Sequence, residues 1–167
     1  MNIDTYDRIL QLRALRAFEN RPVSATHVDQ LIEAARWTGS SKNRQNWSFI
    51  VVDDPQQQAA LAGTGDFTDP VRNAPLTIAL VLEPEGYEFD TGRVAQNIML
   101  AADSLGIATC PITLHRDDEA AEVLGLPAGR RCRYVIAVGY PSEAAAANKA
   151  GGRKPVEELR HHNRFNG

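Results

Sequence analysis

Three short runs constrain most tightly what this chain can fold into: SFIVVDD at 48–54, PLTIALVLE at 75–83 and CRYVIAVGYP at 132–141. Each is apolar, rich in β-branched residues and bounded by turn formers, the pattern of a buried strand. A fourth run, IATCPITL at 107–114, begins in the same way but meets Pro111. Proline lacks the N–H that a central strand needs, so the chain is expected to leave the sheet there.

Helical spacing fills the intervals. In TYDRILQLRALRAF, residues 5–18, Tyr6, Ile9, Leu10, Ala14 and Ala17 recur at three- and four-residue steps and predict an N-terminal helix. Beyond Pro22, Thr26-His27-Val28-Asp29 offers a capping box before Val28, Leu31, Ile32 and Ala35, which predicts a second helix over 26–37. Pro55 suits the first turn of a short helix through 56–63. Val94, Ile98, Ala101, Ala102 and Leu105 share one face of a further helix, capped by Asp90 or Thr91 and ended by Gly106. Met99 and Leu100 widen its apolar stripe and make it central. Residues 117–127 form an acidic-started helix with Gly125 as its stop. The stretches 39–47 and 63–73 lack apolar periodicity and read as loops. The tail, 142–167, has few large apolar residues beyond Val156, Leu159 and Phe165. It cannot form a core of its own, so it is either disordered or wraps another surface with a short helix at Pro155.

At 167 residues and 43% hydrophobic content, the chain is expected to be a single domain, 1–167, with a sizeable core. A net charge of -3 gives no surplus of cations to neutralise a polyphosphate, which excludes nucleic acid as a partner. With no apolar signal region and no long apolar run, a membrane is excluded too, and a cytoplasmic protein is expected. The two cysteines, Cys110 and Cys132, are then expected as reduced thiols, and the histidines, at 27, 115, 161 and 162, show no metal-ligand spacing.

Three polar clusters interrupt this ordinary pattern: Arg13 and Arg16 on the first helix, SSKNRQNW at 40–47, and GGRKP at 151–155. Two arginines three apart can bridge a phosphate or form a solvated edge. A loop of Ser, Asn and Gln can read a polar heterocycle or satisfy the carbonyls freed at a helix end. Gln96 and Asn97 are open in the same way, while Trp37 and Trp47 read as core or interface aromatics.

Taken in order, the clusters resemble the nitroreductase family of flavoproteins. The resemblance rests on LRALRAF at 12–18, GSSKNRQNW at 39–47, SFIVV at 48–52 and DTGRVAQNIMLAADSLGIATCPI at 90–112. LGLP at 124–127, VGYP at 138–141 and GRKP at 152–155 complete it. It implies an α+β fold with a central mixed, mainly antiparallel sheet flanked by helices, in an interlocked homodimer whose C-terminal tail reaches over the partner subunit. It implies FMN as cofactor, with Arg13, Arg16 and Arg153 around the phosphate and the pyrimidine end of the ring. Ser40, Ser41, Asn43 and Gln45 would come to the flavin from the partner subunit. Pro111, Ile112, Thr113 and Leu114 would lie beside the ring, with the N–H of Thr113 or Leu114 near N5.

The implied function is two-electron transfer from NAD(P)H to a small acceptor, such as a nitroaromatic or quinone, by a ping-pong mechanism. No catalytic side chain or metal is required, and Arg16 gives electrostatic support. Where the family carries phosphate-anchoring arginine and serine, this chain has Leu12 and Ala14, and Gly39 and Asn46 replace prolines. Each lost anchor of this kind is worth about 1–3 kcal/mol, so weaker FMN binding is implied. The alternatives are a flavin-binding or flavin-shuttling protein with little turnover and a flavin-free dimeric interaction protein.

Overall fold

In the computed structural model, which describes residues 5–145 and 152–165, the four runs pair into one sheet. The strands are β1 (Trp47–Val52), β2 (Leu76–Leu82), β3 (Ala108–Thr113) and β4 (Arg131–Gly139). Their order is β1-β2-β4-β3, and all three pairings are antiparallel. The central pair, β2 and β4, is apolar on both faces because both are covered, as the continuous apolar runs require. On one face Leu76, Ile78, Leu80, Ile136 and Val138 pack with α2 (Ala25–Arg36) and α5 (Glu88–Ser104). On the other, Ala79, Val135 and Ala137 meet α3 (Pro55–Ala62), α4 (Asp69–Asn73) and α6 (Asp117–Val123). Full burial of each Val, Leu or Ile stabilises this sandwich by about 1.5–3 kcal/mol.

The expected α+β architecture, with helices on both faces of the sheet, is present. Gly106 and Gly125 adopt φ +71° and +61° at the ends of α5 and α6, the left-handed stops predicted for them. Several local expectations need correction. The first helix, α1 (Thr5–Gln11), stops well short of residue 18. From Leu12 onward the backbone is recruited by the sheet: Leu15 N–H donates to Thr109 O at 2.9 Å and Glu19 N–H to Tyr140 O at 2.8 Å. Ala14 and Phe18 also pack against the core from this extended path. Arg13 and Arg16 are therefore not helical.

The second helix begins at Ala25, and its cap is Ser24, whose side chain accepts from the His27 N–H, rather than the box at Thr26. The stretch 63–73 contains α4, with Pro70 in its first turn. Pro111 stays in the sheet. It does so because β3 is an edge strand: Leu114 N–H donates inward to Arg133 O at 2.8 Å. The antiparallel alternation then turns Thr109, Pro111 and Thr113 outward, where a missing N–H costs nothing.

A short helix, α7 (Val156–Leu159), follows Pro155 in the tail. Part of the alanine run and the first glycine of GGRKP lie outside the described residues. No helix among the described residues is long and apolar enough to cross a membrane.

Candidate flavin site

The outward edge of β3 borders a cavity of about 600 Å³. Arg16, Cys110, Pro111, Ile112 and Thr113 line one side, and Asp66, Phe67, Asp69, Pro70 and His115 the other. The Leu15–Thr109 hydrogen bond holds the extended segment against β3 and so sets Arg16 at the rim. Arg16 is exposed and makes no hydrogen bond or ion pair among the described residues. Its charge reaches Cys110, whose thiol burial pushes up and the guanidinium partly pulls back. The other cysteine, Cys132, is buried away from this rim, and burial raises its thiol to about 12. Both are free.

Pro111 is exposed at the cavity, whereas Leu114 is fully buried in the core and its N–H is committed to Arg133. Of the two N–H groups expected beside the ring, only that of Thr113 faces outward. Arg13 is also exposed, but its guanidinium folds back on the carbonyls of Leu10 and Leu12, each at 2.8 Å. Arg153 is exposed on the tail, ahead of α7.

Asp66, Phe67, Asp69 and Pro70 of the opposite wall lie in 63–73, which the sequence pattern presents as a surface loop although it holds α4. Asp69-Pro70, a helix-start signal, could have revealed it. His115 lines this wall, and its Nδ1 accepts the Asp66 N–H at 3.2 Å, so the neutral ring carries its proton on Nε2. Arg116 binds Asp66 at 2.8 Å and holds its carboxyl below the usual carboxylate range. The cavity thus presents one unpaired guanidinium, one imidazole, an apolar strip at Pro111 and two carboxylates, Asp66 and Asp69, the first of them neutralised by Arg116. No group of three His, Cys, Asp or Glu side chains among the described residues is placed to hold a metal.

The polar loop lies elsewhere. Ser40, Ser41, Asn43 and Gln45 precede β1, at the far edge of the sheet from β3. Ser41–Asn43 form a 3-10 turn, and Ser40 Oγ accepts the Gln45 N–H at 2.9 Å. Lys42, Asn43 and Gln45 take φ near +54°, +53° and +53°, in the left-handed region that disfavours side chains by about 1–2 kcal/mol each. Arg93 of α5 tethers the loop by donating to Gly39 O at 2.6 Å. Asn97 donates to Thr38 Oγ1 at 2.8 Å, and Gln96 is exposed. Trp37, expected in a core or interface, stands exposed beside Glu33 at the end of α2, while Trp47 packs against the α2–α5 layer.

The chain is 27% identical to an FMN reductase (NADPH) of Bacillus subtilis, over 98% of this chain and 75% of that protein. An NADPH-dependent oxidoreductase of Staphylococcus epidermidis is also 27% identical, over 93% of this chain and 70% of its own length. The solved structure of an FMN-dependent nitroreductase from Clostridium difficile R20291 superposes with a TM-score of 0.82 at 26% identity, covering 95% of this chain and 98% of that one. The nitroreductase family model matches residues 9–76 and 67–140, which between them contain the whole sheet, the polar loop and both walls of the cavity. The chain belongs to the nitroreductase family.

Proposed function

We propose that this family member is an FMN-dependent oxidoreductase that moves two electrons from NADH or NADPH to a small acceptor such as a nitroaromatic or quinone. The observation that carries the reading is the unpaired Arg16 at the rim of the cavity, beside the outward edge of Pro111 and Thr113. The donor set fits FMN: a guanidinium for its phosphate or its pyrimidine oxygens, an outward strand N–H, and an apolar strip for a ring. FMN, when bound, supplies the two-electron carrier, and the protein has only to orient it and tune the charge around it. Arg16 favours the form of the bound group that carries negative charge. With Leu12 and Ala14 offering no anchor, Arg13 and Arg153 are the further cations assigned to the phosphate.

The site is completed, in this reading, by a second copy of the chain, whose Ser40, Ser41, Asn43 and Gln45 approach the flavin. Three observations support it. The polar loop is held in costly left-handed backbone, and Ser41, Asn43 and Gln45 are exposed on it. Tyr6, Ile9 and Leu10 of α1 are exposed, although their spacing marks an apolar face. Val156, Leu159 and Phe165 of the tail are exposed as well. A dimer buries such faces. Light scattering on the eluting protein should give the mass of two chains, and a single-chain mass at micromolar concentration would remove the two-chain site.

The two substrates alternate in one open cavity and solvent supplies protons, so that His115, 3.8 Å from the Asp66 carboxylate, is not needed for turnover. Steady-state oxidation of NADH and NADPH with menadione or a nitroaromatic should give parallel double-reciprocal plots. His115→Ala should keep most of its rate and Arg16→Ala should not. Intersecting plots, or loss of turnover in His115→Ala with FMN still bound, would overturn the mechanism.

A further inference from the structure

The segment that carries Arg16 is held at more points than Leu15 alone. Ser142 N–H donates to Ala17 O at 3.3 Å, Glu19 N–H donates to Tyr140 O at 2.8 Å, and Phe18 forms an antiparallel bridge with Pro141. Residues 15–19 therefore lie as a strap across one end of the β3–β4 pair, seated on Thr109 and on the end of the VGYP run. Gly139 lets the strap lie close, since a Cβ there would stand 2.7 Å from Pro75 Cδ and 3.0 Å from Phe18 Cδ1.

The side chain of Tyr140 adds what the main chain does not. Arg21, just beyond the strap, lays its guanidinium over the Tyr140 ring, 3.5 Å from the centroid, and Glu19 holds Arg21 Nε at 2.9 Å. The Tyr140 hydroxyl is hydrogen-bonded to His27 Nδ1 of α2 at 3.0 Å. Tyr140 thus joins the far end of the strap to a helix that is packed on the sheet through Leu31 and Ala35. None of these four polar side chains lines the large cavity, so they touch no ligand there. Arg16, by contrast, is exposed at its rim with no partner of its own among the described residues, and only its backbone is fixed. Anchors at Leu15, Ala17 and Glu19, on both sides of Arg16, order that backbone before a ligand arrives and so remove part of the entropy cost from binding.

We propose that Tyr140 is a positioning residue for Arg16: its ring under Arg21 and its hydroxyl on His27 lock the strap and hold the guanidinium at the rim of the cavity. The consequence for FMN rests on the reading of Arg16 as a flavin contact; the lock itself does not.

Two measurements on the full chain test it, with circular dichroism to secure the fold of each variant. Fluorescence titration with FMN compares wild type, Arg21→Ala, Arg21→Lys and Tyr140→Phe, each with and without Arg16→Ala. Arg21→Ala should weaken FMN about two- to fivefold, the effect of one exposed cation–π contact, and Tyr140→Phe by a similar factor. Arg21→Lys, which keeps a cation over the ring, should recover part of the loss. With Arg16 already replaced, none of the three should matter. In the flavin-free protein, the Leu15 and Glu19 amides should exchange hydrogen about two- to fivefold faster in Arg21→Ala and Tyr140→Phe. Equal losses of FMN affinity with and without Arg16, as a merely structural role gives, would overturn the proposal. So would unchanged amide exchange in both folded variants. Faster exchange combined with wild-type FMN affinity in Arg16→Ala would leave the lock standing and remove Arg16 from the flavin instead.

Discussion

The two edges of the sheet solve different problems. At the β3 edge, one chain builds a finished wall: a proline tolerated because it faces outward, a guanidinium pinned at the rim by the Leu15–Thr109 hydrogen bond, and a histidine oriented by the Asp66 N–H. Before β1, the same chain builds a loop on which Ser41, Asn43 and Gln45 are exposed and whose backbone visits the left-handed region at Lys42, Asn43 and Gln45. Stored conformational cost of this kind persists where the surroundings over-determine it and where function uses it. In the proposed reading the flavin sits at the β3 edge. The same reading has the loop, on the other side of its own molecule, reach the flavin of a second copy.

The sharpest break of that comparison is Arg16→Ala. As an exposed side chain with no partner among the described residues, Arg16 contributes little to folding, so the variant should melt with the wild type. It should nevertheless lose about tenfold or more in FMN affinity, the value of one charge-assisted hydrogen bond. Fluorescence titration with FMN measures it, and a lower melting temperature with unchanged affinity would make Arg16 structural.

Arg153→Ala should weaken FMN by several-fold but riboflavin hardly at all, because a guanidinium fork recognises phosphate and few other anchors remain. Equal losses for both flavins would take Arg153 away from the phosphate. On the loop, Lys42→Gly should raise stability by up to about 1 kcal/mol, as the left-handed conformation costs glycine nothing in the folded chain while its freedom in the unfolded chain offsets part of the gain. Ser40→Ala should lower stability by about 1 kcal/mol by removing the acceptor for the Gln45 N–H. Chemical denaturation measures both, and a destabilising Lys42→Gly would show that the lysine side chain, not the backbone, matters at this turn.

The smallest effect is at Glu33, at the end of α2 leading into the loop. Hydrogen bonds from Arg36 and from the Trp37 indole lower its carboxyl from 4.5 to about 2. A depressed folded-state value means the interaction stabilises fully above pH 4.5 and is lost as pH falls toward about 2. Solvent screens this exposed group, so only a slight effect is expected. Thermal melts of wild type and Glu33→Gln should differ slightly at neutral pH and converge across that acidic window.

What was legible in the sequence follows from where local and tertiary preferences agree. β2 and β4 are central and buried on both faces, so their apolar runs announce them directly. The stripe from Val94 to Leu105 announces α5 for the same reason, and Asp54 and Pro55 open α3 as a cap and first turn should. Residues 12–18 misled because Ala14 and Ala17 continue the helical period of α1, while the decisive partner, the edge of β3, lies about a hundred residues away in sequence. Pro111 misled because a proline excludes a central strand and says nothing against an outward edge position. Half of the cavity, from Asp66 to Pro70 with His115, left no periodic trace, since these residues meet through tertiary contacts: the His115 N–H bonded to Thr64 O at 3.0 Å and α4 packed on the sheet.

The central claim, that the β3 edge together with a second copy holds a working flavin, is tested most directly by dialysing the purified protein, adding FMN and following the visible spectrum before and after NADH or NADPH under exclusion of oxygen. A saturable shift of the flavin bands at one FMN per chain is expected, followed by bleaching on addition of the reductant, with both weakened in Arg16→Ala. A spectrum equal to that of free FMN at every protein concentration, or a bound flavin that neither NADH nor NADPH bleaches, would contradict it.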